Sequence, residues 1–299
     1  MSNNHVGMIG YGEVGKLFCM GLKPKIGLDS VSTWDVKFAD AASQDAAQSH
    51  ARAAGVNVCK SLQALCQQAD WLISAVTASQ TLAVASEAAN YLRPGTLFLD
   101  LNSASPGTKQ QAAKLIVAAG GLYVEAGVMT SVPPYGIKVP MLLGGPQAES
   151  LAQRLRGFDM DATCVSPSIG IASAIKMCRS VMIKGLESLV IESYATARAY
   201  GVEDHVLPTL VETFPSIDWS EQGRYFFSRV VQHGKRRAEE MREAANTVQE
   251  AGFQPFMATA IVNKQQWVAD LAAAGVFADI EKSAPWQAYA DRLLSHAKQ

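Results

Sequence analysis

The chain has 299 residues, 48% of them hydrophobic and 18% charged, with a formal net charge of −1. That length predicts two domains with a substantial core, and the near-neutral balance gives no electrostatic case for nucleic acid or an anionic membrane. Five scattered cysteines (Cys19, Cys59, Cys66, Cys164, Cys178) without a C-x-x-C pair, five histidines without metal-ligand spacing, and the lack of a leader or a bilayer-length apolar run predict a soluble, cytoplasmic protein with no metal, nucleic-acid or membrane partner.

Val6 to Ile9 is a short apolar run, predicted as a strand, and an apolar helical stretch from Val14 to Leu22 follows it. Between them stands Gly10-Tyr11-Gly12-Glu13-Val14-Gly15. In this strand–turn–helix setting, three glycines at that spacing bind a dinucleotide. Gly10 permits the tight turn, Gly12 lets the backbone approach the pyrophosphate, and Gly15 lets the helix pack close to the strand. The helix N-terminus, with Tyr11, Glu13 and Val14 around it, offers unpaired N–H groups to the phosphates. A second strand, Val31 to Trp34, ends in Asp35. A carboxylate there accepts hydrogen bonds from the adenine-side ribose 2′-OH and repels a 2′-phosphate. NAD is therefore the expected cofactor, while Lys37 keeps NADP open.

Further along, an alanine-rich helix is expected from Ala39 to Ala54, a short strand near Val56–Val58, and a helix through Leu62–Leu65. Trp71 to Val76 is an apolar run broken by Ser74 alone, as expected of a strand buried on both faces. A helix from Leu82 to Leu92 ends at Pro94-Gly95, and Thr96 to Leu101 is the next buried strand. Pro106 opens another helix, which stops at Gly120-Gly121, and strands are expected at Tyr123–Val128 and Met141–Leu143. The alternation predicts an α/β, Rossmann-type, doubly wound and mostly parallel sheet.

From Ile171 the helical pattern runs proline-free to Tyr200, closed by Gly201. At 1.5 Å per residue it spans roughly 45 Å, long enough to join two domains. Val206 to Gln299 reads as helices broken at Pro208, Pro215, Gly252–Pro255 and Pro285. The expected organisation is a dinucleotide-binding domain at 1–166 and an all-α substrate and dimerisation domain at 167–299. A homodimer is the expected assembly.

Near the start of the long helix, Lys176, Arg179 and Ser180 fall at i, i+3 and i+4 and share one face. Apolar neighbours and a second cation should destabilise the Lys176 ammonium and bring it into a range useful for proton transfer. The competing reading is a surface lysine lying along its helix. A second polar cluster is His233-Gly234-Lys235-Arg236-Arg237. Arg236 there either forms a solvated ion pair with Glu240 or reaches a substrate anion, and His233 is a rival general base.

With these residues in view, the chain resembles the β-hydroxyacid dehydrogenases, which include 3-hydroxyisobutyrate and 6-phosphogluconate dehydrogenase, over nearly its whole length. Gly170 to Lys176 stands where that family's nucleotide domain hands over to its long helix. Asp100-Leu101-Asn102-Ser103-Ala104-Ser105-Pro106 is similar to the segment that closes over the nicotinamide end, and Val76-Thr77 to the stretch whose backbone passes the cofactor. The resemblance implies an NAD(P)-dependent dehydrogenase acting on a CH–OH group of a small substrate. In it, Lys176 would be the general acid/base that takes the hydroxyl proton as hydride leaves for the nicotinamide.

Departures accompany the matches. The family often has asparagines where this chain has Arg179 and Ser180, and its Ser-Gly-Gly loop appears here as Glu125-Ala126-Gly127-Val128-Met129-Thr130-Ser131, continuing to Pro140. With Pro133–Gly136 and His233–Met241, these changes resemble a prokaryotic, phosphogluconate dehydrogenase-like branch with an uncharacterised helical C-terminal domain. Arg179 argues for an anionic substrate group gripped through two parallel bonds; otherwise it pairs with a nearby carboxylate. Thr130 and Ser131 keep hydroxyl and backbone donors where the family's loop meets a carboxylate. The second acid of a decarboxylating relative would fall at Ile183, and Glu187 reads as structural, which disfavours decarboxylation. Two other readings stay open: an imine reductase, and a redox sensor that binds NAD(H) without turnover.

Overall fold

The computed structural model describes residues 4–40 and 44–297. Among them the chain divides into two compact units, Met1–Met177 and Cys178–Gln299. The first unit is built on β1 (His5–Ile9), β2 (Ser30–Trp34), β3 (Asn57–Val58), β4 (Trp71–Ser74), β5 (Leu97–Asp100), β6 (Leu122–Val128), β7 (Met141–Gly144) and β8 (Ala162–Ser166). They form one sheet in the order β3-β2-β1-β4-β5-β6-β7-β8. All neighbours are parallel except β6 and β7, which pair antiparallel, Glu125 facing Gly144. The order reverses between β1 and β4, and ligands of open α/β sheets bind outside the carboxyl ends of the strands at such a switch point.

The helices of this unit are α1 (Glu13–Leu22), α2 (Gln44–Ala53), α3 (Leu62–Gln68), α4 (Thr81–Ala89), α5 (Pro106–Ala118) and α6 (Ala148–Arg156). Two apolar layers follow from the alternation of strand side chains. Val6 and Met8 of β1 join Phe18, Leu22, Leu151 and Leu155 on one side. Ile9 joins Leu62, Leu65, Ala85, Ala112 and Ile116 on the other. Each of the fully buried Val, Leu, Ile, Phe and Met side chains among these contributes on the order of 1.5–3 kcal/mol. α5 starts as its sequence demands, with Pro106 in the first turn and the Ser105 hydroxyl accepting the Thr108 N–H.

Where sequence and structure differ, the reasons are physical. α6 and β8 were not expected; β8 lies at the sheet edge with β7 as its one neighbour, so its residues are half exposed and carry no apolar run. The helix expected from Ala39 begins at Gln44 after a 3₁₀ turn at Val36–Phe38, with residues 41–43 outside the described set. The predicted break at Pro208 does not occur.

In the second unit, α7 (Ile171–Tyr200) arrives from the first and has the predicted ends. It is followed by α8 (Glu203–Thr213), α9 (Trp219–Glu250), α10 (Phe256–Ala273) and α11 (Trp286–Ala297). Pro208 lies inside α8 on its exposed side, so the carbonyl it leaves without an N–H partner can be hydrated. The core is aromatic: Tyr194, Trp219, Phe226, Phe227, Trp286 and Tyr289 pack together. Gly234 brings α9 against α10, since a β-carbon there would meet Gln265 O at 2.8 Å.

Candidate active site

β1 ends at Ile9, and the chain turns at Gly10 with φ of 94°. A β-carbon at Gly10 would meet Ala75 O at 2.5 Å, and one at Gly15 would meet Gly10 O at 2.0 Å. The turn is thus pressed onto the end of β4 while the first turn of α1 lies on the loop. Gly12 is the exception, with nothing within 4 Å of its β-carbon position. It caps α1 without any side-chain hydrogen bond, and Glu13 and Val14 begin the helix. Open space over an uncapped helix N-terminus fits a pyrophosphate.

At the end of β2, Asp35 Oδ2 accepts the Tyr11 N–H at 2.6 Å and Oδ1 accepts the Lys37 N–H at 2.9 Å. Each oxygen keeps a further lone pair, so the carboxylate stays competent to receive ribose hydroxyls. Tyr11 itself is buried, its hydroxyl 3.1 Å from His50 Nδ1, and burial pushes its pKa up to about 12.

Three strands along, just past the end of β5, Asn102 ties the neighbouring strand ends together. Its Oδ1 accepts the Val76 N–H at 2.7 Å and its Nδ2 donates to Ser74 Oγ at 3.0 Å. Thr77, next in line, is exposed. The Asn102 N–H donates to Asp100 Oδ1 at 2.9 Å, and the buried Asp100 also binds Lys109 and Tyr123. Burial is the main reason that the Tyr123 hydroxyl is pushed well above its usual pKa, with the Asp100 charge second.

Ser103 follows Asn102, and Lys176 Nζ donates to its hydroxyl at 2.6 Å. Lys176 is half-buried. Its helix is held against β6, where Glu125 Oε1 accepts the N–H groups of Gly170 and Ala172 at 2.6 and 3.0 Å. A β-carbon at Gly127 would lie 3.4 Å from Lys176 Cβ. Met129, Thr130 and Ser131 leave the end of the same strand, with the Met129 N–H bonded to Pro140 O at 2.9 Å. Within the first unit, the structure therefore draws the glycine turn, Asp35, Val76 and Asn102 to the carboxyl edge of the sheet, and it bonds Lys176 into the Asn102–Ser103 segment.

The remaining candidates lie in the helical unit. Arg179 is exposed and forms no ion pair among the described residues, so the pairing alternative has no carboxylate. Ser180 is buried and accepts from Lys184 Nζ at 3.2 Å, and Lys184 in turn lies 3.0 Å from Glu240 Oε2. Desolvation lowers the Lys184 pKa, with Glu240 pulling the other way. Arg236, half exposed, takes the other Glu240 oxygen at 2.5 Å, which is the ion pair anticipated from their spacing. His233 is exposed. Glu187 is buried in an ion pair with Arg237 and also accepts from Gln265 Nε2 at 3.2 Å.

Sequence reasoning missed Lys109 and Lys184, and it named Ser103 and Glu125 only as members of longer segments, with no role of their own. A signal existed for two of their sites: Asp100 and Glu125 sit within apolar strands, where a carboxylate has to find partners. Among the described residues, no three metal-ligating side chains cluster, and no helix is long and apolar enough to cross a membrane.

Residues 5–154 match the NAD binding domain of 6-phosphogluconate dehydrogenase, and residues 197–268 match the domain of unknown function DUF1932. A conserved hypothetical protein from Sinorhizobium meliloti 1021 is 35% identical, with 97% of this chain and 95% of that one covered and a TM-score of 0.77. The conserved protein MTH1747, whose structure is reported as similar to 3-hydroxyacid dehydrogenases, is 29% identical over 90% of this chain and 98% of its own, with a TM-score of 0.69. 3-Hydroxyisobutyrate dehydrogenase of Mycobacterium tuberculosis, solved with L-serine, shares the fold at 17% identity over 97% and 99% of the two chains, with a TM-score of 0.68. The chain thus belongs to the β-hydroxyacid dehydrogenase superfamily, in the branch that joins the NAD binding domain of 6-phosphogluconate dehydrogenase to a DUF1932 helical domain.

Proposed function

We propose that the protein is an NAD-preferring oxidoreductase that moves hydride between the nicotinamide and a hydroxyl-bearing carbon of a small anionic substrate. The observation that carries this reading is the 2.6 Å bond from Lys176 Nζ to Ser103, next to the Asn102 that links the carboxyl ends of β4 and β5. An amine is thereby held at the edge of the sheet where Rossmann-type folds receive a dinucleotide. When bound, the dinucleotide supplies the hydride acceptor or donor.

The chain's own residues do the rest. Gly10, Gly12 and Gly15 with the α1 N-terminus receive the pyrophosphate, and Asp35 receives the ribose and disfavours a 2′-phosphate. Lys176 takes the hydroxyl proton during oxidation and returns it during reduction, with the Ser103 hydroxyl as its resting partner. Arg179, which has no carboxylate partner among the described residues, grips the substrate anion. Thr130, Ser131 and Ser180 orient it, and Arg236 and His233 are further contacts. Glu187 is committed to Arg237, which supports simple oxidation over decarboxylation. Exposed Met182 and Leu189 on α7 support a homodimer, and five free cysteines suit a reducing cytoplasm.

The test is a coupled absorbance screen of small hydroxy acids with NAD and NADP, with cyclic imines and the reduced cofactors as a second arm. Lys176→Ala should abolish turnover while dinucleotide affinity stays unchanged. Turnover within a few-fold of wild type would remove Lys176 from the mechanism. Imine turnover without hydroxy-acid turnover would make the protein an imine reductase, and tight binding without hydride transfer a sensor.

A further inference from the structure

We propose that Glu125 is a positioning residue for Lys176, anchoring the first turn of α7 to β6 so that the amine meets Ser103; this rests on the role assigned to Lys176 above. A helix start is ordinarily capped by a Ser, Thr, Asp or Asn next to it in sequence. Here the residue before α7 is Gly170, with φ of 108°, and the cap comes from a strand 45 residues earlier. Glu125 is wholly buried, and its Oε1 receives both the Gly170 and Ala172 N–H groups. Its Oε2 is buried without a hydrogen-bond partner among the described residues, so its bonding goes to the helix.

The sheet is shaped around this carboxylate. Facing it on β7 is Gly144, where a β-carbon would sit 2.6 Å from Glu125 Oε1. Two residues along β6, and so on the same face, Gly127 lets the helix come down onto the strand. A β-carbon at Gly127 would lie 2.9 Å from Ala172 O and 3.4 Å from Lys176 Cβ. Glu125 therefore sets how far along its axis α7 begins, and Gly127 sets its height above the sheet. Lys176 is one turn beyond Ala172, and from that place its Nζ reaches Ser103 at 2.6 Å. Ordinary capping would need only the first of these features. The pair constrains the helix at the residue that carries the amine.

The experiment measures how fast an amine-reactive acylating reagent modifies Lys176 in the protein without dinucleotide, by peptide mass spectrometry, with circular dichroism checking the fold. Glu125→Gln keeps a carbonyl acceptor for both N–H groups and should label within about twofold of wild type. Glu125→Ala and Gly127→Ala should label about tenfold faster, as Lys176 comes away from Ser103. Folded variants of both kinds with a wild-type labelling rate would overturn the proposal, as would Glu125→Gln labelling as fast as Glu125→Ala. If Glu125→Ala does not fold, Gly127→Ala against Glu125→Gln decides the matter. Labelling needs neither cofactor nor substrate, so a failed hydroxy-acid screen would remove the functional reading and leave this result standing.

Discussion

Lys109 Nζ lies 2.8 Å from Asp100 Oδ1, and neither side chain keeps more than 1% of its surface in solvent. The same ammonium donates to the Asp100 carbonyl at 3.0 Å, and Tyr123 donates to Asp100 Oδ2 at 2.6 Å. The Asn102 N–H also donates to this carboxylate, at 2.9 Å. Removing one partner of a buried pair leaves the other charge uncompensated, at a cost of about 3–5 kcal/mol. Lys109→Met should therefore lower the urea unfolding free energy by about that much, whereas Tyr123→Phe, which removes one bond to a charged acceptor, should cost about 1.5–3 kcal/mol. A Lys109→Met protein as stable as wild type would show that the pair contributes nothing.

The Tyr123 hydroxyl also has a pH consequence. Its folded pKa is raised by burial and by Asp100, while an unfolded tyrosine titrates near 10, at about its unperturbed value. Between those two values the unfolded chain has lost the proton and the folded one keeps it, so stability falls as pH rises. Below about pH 10 the contribution is fully present. Urea midpoints taken above that pH should fall less steeply for Tyr123→Phe than for wild type. Tyr11 and Tyr194, both pushed up to about 12, act in the same direction in both proteins and cancel in the comparison.

In the helical unit, Glu240 pairs with Lys184 at 3.0 Å and with Arg236 at 2.5 Å. Lys184→Met leaves Glu240 paired with Arg236 and removes a buried charge, so stability should stay within about 1 kcal/mol of wild type or rise. Glu240→Gln takes the paired carboxylate from buried Lys184, leaving it the Ser180 hydroxyl, and should cost about 3–5 kcal/mol. The lysine's folded pKa is depressed, chiefly by burial. The cost of holding it charged is therefore full below that folded value and is relieved as pH climbs towards the unfolded one, so the Lys184→Met advantage should shrink in alkali. Denaturant curves at neutral and alkaline pH would read both effects.

The cysteines separate by exposure. Cys19 and Cys66 are buried and their thiols are pushed up to about 12 by desolvation, whereas Cys178 is exposed on α7. The thiolate is the reactive form. Limited alkylation at neutral pH should label Cys178 well before Cys19 or Cys66. Early labelling of Cys19 would mean that the α1 packing opens in solution.

Gly12 and Gly15 should respond differently to a methyl group. At Gly12 the space is open, so Gly12→Ala should keep the wild-type melting temperature and lose at least about tenfold in dinucleotide affinity, or about 1.4 kcal/mol. At Gly15 a β-carbon would strike Gly10 O at 2.0 Å, so Gly15→Ala should lose stability and affinity together. Calorimetric titration with NAD and thermal melts check both; unchanged affinity in Gly12→Ala would remove the pyrophosphate from that turn.

Much of the architecture was legible along the chain because it obeys local rules. The apolar run at Val6–Ile9 falls in β1, the one at Trp71–Val76 opens with β4 and outruns it by two residues, and the uninterrupted pattern from Ile171 to Tyr200 became α7 with those ends. The glycine turn and Asp35 stood out by their spacing along the chain, although the contacts that fix them, Gly10 against Ala75 O and Asp35 with the Tyr11 N–H, join separate strand ends. The edge strand β8 has half-solvated residues without a strong period, whereas α6 carries a helical spacing (Ala148, Leu151, Ala152 and Leu155 buried) that was not singled out, and Pro208 was overrated.

What tertiary structure alone decided are the pairings across long separations. Ser103 and Lys176 are 73 residues apart, and Glu125 meets Gly170 across 45. A lysine such as Lys109 looks like any surface residue of a helix until the sheet closes over it and Asp100 becomes its partner. Periodicity reports which way a side chain faces within its own element. Which charges must find one another follows only from how the strands order themselves and exclude water.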